Sequence, residues 1–84
     1  MKMIRRRTVH LKVCNLTESP LNISFEPLGD QADLPAKGTF AVEISGPGDG
    51  LVEICVEEKG LVVGEWAGAK TRVRNMHGEN VATY

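Results

Sequence analysis

The chain has no apolar run near the roughly 20 residues that span a membrane. Its basic start, MKMIRRR, leads into a polar alternating stretch rather than the apolar core of a secretory leader. These absences give the expectation of a cytoplasmic protein without membrane association. Cysteine is scarce: Cys14 and Cys55 stand alone, far apart in sequence, with no C-x-x-C or H-x-x-x-H spacing anywhere. That excludes a disulfide framework and any metal site recognisable from ligand spacing. Aromatic residues are few, with two Phe, one Trp and one Tyr, so platforms for stacking nucleic-acid bases are short in supply. No segment has helical period. The glycines Gly46, Gly48 and Gly50 therefore precede no helix and do not form a phosphate-cradling loop. No cofactor, no metal and no enzymatic activity are expected.

What is present is alternation. In Leu21 to Glu26, Leu21, Ile23 and Phe25 oppose Asn22, Ser24 and Glu26; further on, Phe40, Val42 and Ile44 oppose Ala41, Glu43 and Ser45. Both segments read as strands with one buried and one wet face. The same design recurs in Val9, Leu11 and Val13, in Val52, Ile54 and Val56, in the nearly continuous apolar run Leu61 to Trp66, and in Lys70 to Asn75 with Thr71 and Val73 inward. His77-Gly78 reads as a hairpin tip returning through Ala82. Residues 1–6 are expected to form a flexible arm. The stretch Leu28 to Lys37 reads as a loop long enough to cross between sheets, with Leu28 and Leu34 tucked beneath it. The sequence thus predicts one all-β domain over residues 1–84, an antiparallel β-sandwich of six or seven short strands, with a small open barrel as the alternative. At 84 residues the chain buries only about 60 to 65% of the surface its unfolded form exposes, so the core is thin.

The run FEPLGDQADLPAKGTFAVEISGPGDG followed by VGEWAGAKTRV resembles a pattern in small bacterial β proteins of unassigned function. That pattern has E-P-x-G, a Pro/Gly turn and a strand, then a Trp-x-Gly turn into a short strand. The resemblance covers about half the chain and implies a fold, with no activity or site residue to carry over.

Charge is divided along the chain. Residues 1–12 hold Lys2, Arg5, Arg6, Arg7 and Lys12 with no acid, the middle is strongly acidic, and Lys70, Arg72 and Arg74 make the end basic again, for a net charge of −1. Two functional readings follow. In the leading one the chain is a non-enzymatic interaction or structural module that binds itself or another protein through Leu61, Val63 and Trp66, the indole anchoring the partner. In the alternative, Arg5, Arg6, Arg7, Lys70, Arg72 and Arg74 with Lys12 neutralise the phosphates of a nucleic acid or other polyanion. The competing explanation for the cations is that Glu43, Glu53 and Glu57 pair with them in cross-strand ladders worth about 0.2 to 1 kcal/mol per pair. Trp66 likewise has a plain structural reading, closing one end of a thin core. Cys55, between Glu53 and Glu57, is expected to be a poorly ionising thiol, packed as a small buried or half-buried hydrophobe.

Overall fold

The computed structural model describes residues 5–27, 29–58 and 60–83. Eight strands are formed: β1 (Arg6–Cys14), β2 (Leu21–Glu26), β3 (Asp30–Leu34), β4 (Thr39–Pro47), β5 (Glu53–Glu57), β6 (Gly60–Gly64), β7 (Lys70–Arg74) and β8 (Asn80–Thr83). They lie in two four-stranded sheets, sheet A in the order β1-β4-β7-β8 and sheet B in the order β3-β2-β6-β5. Sheet B consists of two hairpins, β2–β3 and β5–β6, each an excursion between consecutive strands of sheet A. The two excursions are joined by a parallel ladder that pairs Asn22 with Gly60 and Glu26 with Gly64. Gly60 is required there, because a Cβ at this position would collide with the carbonyl oxygen of Asn22.

The alternation sets the packing. Ile23, Phe25, Leu34 and Val63 from sheet B meet Phe40, Val42, Ile44 and Val73 from sheet A in one core cluster of buried residues. Each such side chain contributes about 1.5 to 3 kcal/mol relative to exposure. β4 is the spine of sheet A, flanked by nine paired positions with β1 and five with β7.

The main departures from the sequence reading have local causes. Asp30–Leu34 is a strand rather than a loop, since Ala32 and Leu34 fall inward opposite Ile23 and Leu21 while Gln31 and Asp33 stay wet. The strand count therefore rises to eight, and one pair in the sandwich is parallel. Arg6 belongs to β1, not to an arm, and β4 continues through Gly46 and Pro47 before the chain breaks at Gly48 and Gly50, both at positive φ. Leu34 is fully buried as expected; Leu28, residues 1–4, Lys59 and Tyr84 lie outside the described residues.

Asn15, just after β1, is the main polar link in the interior and is 2% exposed. Its Nδ2 donates to the carbonyls of Ser19 (2.8 Å), Leu34 (3.1 Å) and Pro35 (3.1 Å). Its Oδ1 accepts from the Thr17 backbone N–H (3.0 Å) and hydroxyl (2.7 Å). One side chain thus ties the β1–β2 connection to the β3–β4 loop.

Candidate functional site

The strand order decides where the charged residues go. Because directly paired residues share a face, the outer row of β1 is Arg6, Thr8, His10, Lys12 and Cys14, and the outer row of β7 is Lys70, Arg72 and Arg74. These rows flank β4, two strand spacings or about 9.6 Å apart. The outer row of β4 between them is Thr39, Ala41, Glu43 and Ser45, mostly short side chains. The result is a furrow along β4 with cationic walls and a low floor.

Three contiguous depressions line that furrow. One of about 210 Å³ lies among His10, Ala41, Glu43, Arg72 and Arg74. A larger one of about 590 Å³ continues past Ala41 and Arg74 to Lys12, Thr39 and Met76. A third of about 160 Å³ extends the other way to Ser45 and Lys70. Five cations, Arg6, Lys12, Lys70, Arg72 and Arg74, share this face with Glu43, the single acid of its outer rows among the described residues, which lies directly opposite Arg72. Among the described residues, none of the five forms an ion pair; Glu43 instead has His10 Nδ1 at 3.9 Å, and the other ion pair, Lys37 to Glu18 at 3.0 Å, belongs to loops.

Of the acids expected to pair with these cations, Glu43 lies on this face directly opposite Arg72, while Glu53 and Glu57 are on the other side of the molecule. Glu53, Cys55 and Glu57 of β5, Glu26 of β2 and Asp33 of β3 form the outer rows of sheet B, which carries no Lys or Arg among the described residues. Cross-strand ladders between Glu53 or Glu57 and the basic strands are thus ruled out by the topology. The two outer faces of the sandwich have opposite charge.

Of the named cations the structure brings together Arg6, Lys70, Arg72 and Arg74, with Lys12 beside them. Arg7 falls on the opposite row of β1, its stem against Gly50. Arg5 precedes β1 and is placed by its carbonyl, which accepts from Gly48 N–H at 3.0 Å. The small residues of the furrow floor, Thr39, Ala41 and Ser45, were not singled out from the sequence, where their only signal was the run of short side chains alternating with Phe40, Val42 and Ile44. Glu43 was read there as a partner for the cations.

The apolar trio fares differently. Val63 is 0% exposed, so a side chain expected to meet a partner is core. Leu61 is half-buried against that core. Trp66 packs on it too, with its indole N–H donating to the Pro47 carbonyl at 2.8 Å and its ring against Gly48. A half-buried indole needs such an acceptor, and the contact closes the end of the sandwich.

Both cysteines are free and exposed, which corrects the expectation that Cys55 is packed. Its thiol donates to Glu53 Oε1 at 3.4 Å, and this hydrogen bond, followed by desolvation and the charges of Glu53 and Glu57, raises its pKa. Glu65 also has a raised pKa, first from burial and then from the charge of Asp30. Among the described residues, no three His, Cys, Asp or Glu side chains converge to hold a metal ion. Among the described residues no helix is long and apolar enough to cross a membrane. The chain matches no protein-family model, no curated protein and no solved structure.

Proposed function

We propose that the chain is a non-enzymatic binding module that holds the phosphodiester backbone of a nucleic acid along the furrow of sheet A. The observation that carries this reading is the convergence of Arg6 and Lys12 with Lys70, Arg72 and Arg74 on one face, unpaired, although some sixty residues separate the two segments. Uncompensated cations on a rigid sheet serve counterion release better than they serve stability. The aromatic residues argue for backbone contact without base readout: Phe25 and Phe40 are in the core and the Trp66 indole is tied to Pro47. Two exposed, unpaired thiols suit the reducing cytoplasm.

The test is fluorescence anisotropy with a labelled single strand, a duplex of the same sequence and a sulfated glycan as competitor. If all five cations meet phosphates, the logarithm of affinity falls with the logarithm of salt with a slope of about −3.5 for the single strand or −4.5 for the duplex. The joint substitution Arg72→Glu and Arg74→Glu abolishes binding while the circular dichroism spectrum stays unchanged. Absence of binding at low salt, or a slope near zero, refutes the proposal. Much tighter binding of the glycan reassigns the face to sulfate.

A further inference from the structure

Two strands end their sheets without a neighbour on one side and carry opposite charge: β5 in sheet B and β1 in sheet A. All five residues of β5 are exposed. Ile54 and Val56 stand on the row that continues Val63 and Leu61 of β6 toward the core, yet they are 49% and 82% exposed because no strand of sheet A covers them. The opposite row of β5 is Glu53, Cys55 and Glu57. On β1 the inward row is Val9, Leu11 and Val13, all half-buried, and the outward row holds Arg6, His10 and Lys12 with no acid. An exposed edge strand with an apolar row is a template for strand addition.

Charge decides which strand is added. Antiparallel pairing of β5 with β5 of a second copy sets Glu53 opposite Glu57 twice, and β1 with β1 sets cations near cations; like charges directly opposite are destabilising. The other two edges offer no cation, since β3 presents Gln31 and Asp33 outward and β8 presents Asn80 and Thr83. β5 against β1 is the complementary combination. In one antiparallel register it places Glu53 opposite Lys12, Ile54 opposite Leu11 and Val56 opposite Val9, with Glu57 opposite Thr8 and diagonal to Arg6 and His10, so the apolar rows of the two edges adjoin and the acids of one lie among the cations of the other. We propose that copies of this chain assemble head to tail, β5 of one adding to β1 of the next. Such a heterologous contact leaves a free β1 at one end and a free β5 at the other, so growth does not stop at two copies.

Sedimentation equilibrium of nuclease-treated protein, from low micromolar to millimolar at low salt, tests this independently of nucleic-acid binding. The expected result is a weight-average mass that rises past the dimer and falls back when salt is added. The variant Glu53→Lys with Glu57→Lys remains monomeric by itself, and so does Arg6→Glu with Lys12→Glu. Mixed in equal amounts they assemble, because each reversed edge then meets its complement. A wild-type chain that stays monomeric, a species that stops at two copies, or a mixture of the two variants that fails to assemble overturns the proposal.

Discussion

Replacing Asn15 by alanine removes the side chain that ties the β1–β2 connection to the β3–β4 loop. Nδ2 has two hydrogens shared among three carbonyls, and Oδ1 accepts two bonds from Thr17, so about four bonds' worth of interaction is lost at a site 2% exposed. With a net contribution of about 0.5 to 1.5 kcal/mol each, the loss is about 2 to 6 kcal/mol, toward the upper end where carbonyls are left without a donor. For a domain this small, whose urea m-value is near 1 kcal/mol/M, that moves the unfolding midpoint down by about 2 M or more, a large part of the available stability. The emission of the single tryptophan, Trp66, reports the transition. Asn75 provides the control. Its side chain makes a similar set of bonds, accepting from His77 N–H (2.9 Å) and Glu79 N–H (3.0 Å) and donating to Glu79 Oε1 (3.0 Å), but in an exposed turn where water replaces them. Asn75→Ala is expected to change stability by less than about 1 kcal/mol. Equal effects at the two sites refute the argument that burial, rather than bond count, sets the loss.

Glu65 holds its proton more tightly in the folded chain than in the unfolded one, chiefly through burial. Its contribution to stability is therefore complete below the ordinary glutamate pKa and is lost as pH rises through the higher folded value. Urea midpoints measured across that range should decline less in Glu65→Gln than in wild type, and identical pH profiles contradict this. For Cys55, whose thiol donates to Glu53, substitution Glu53→Gln in a Cys14→Ser background should speed alkylation by a maleimide at neutral pH. An unchanged rate means the carboxylate does not control the thiolate.

Much of the fold is written in period-two alternation. Ile23, Phe25, Phe40, Val42, Ile44, Thr71 and Val73 point inward as their parity requires, because a strand residue's face follows from its neighbours alone. Asp30–Leu34 escaped because its two acids and a glutamine look like loop chemistry, and only the partner strand β2 shows that Ala32 and Leu34 make a row. The exposure of Ile54 and Val56 was hidden for a different reason: their parity is right, but coverage depends on how far sheet A extends. The candidate site was half legible. Cations at both ends could be counted, whereas their meeting across β4, and the exile of Glu53 and Glu57 to the other sheet, depend on strand order, which no local pattern encodes. Val63 was read as reaching outward from an apolar segment that lies between β2 and β5 within sheet B, whereas Trp66 follows the structural one of its two readings, packed against the end of the core.

The opposite charge of the two outer faces bears on what a polyanion looks like once coated. A uniformly basic protein cancels the charge of the polymer it covers, and neutralised segments then collapse on one another. With a polyanion held along the furrow as proposed, the cations of sheet A would face the polymer while Glu26, Asp33, Glu53 and Glu57 of sheet B face away from it, and the chain as a whole has a net charge of −1. Each bound copy would then replace the phosphates it hides with carboxylates facing solvent. On that proposal the covered strand keeps its sign, and coated strands would repel each other.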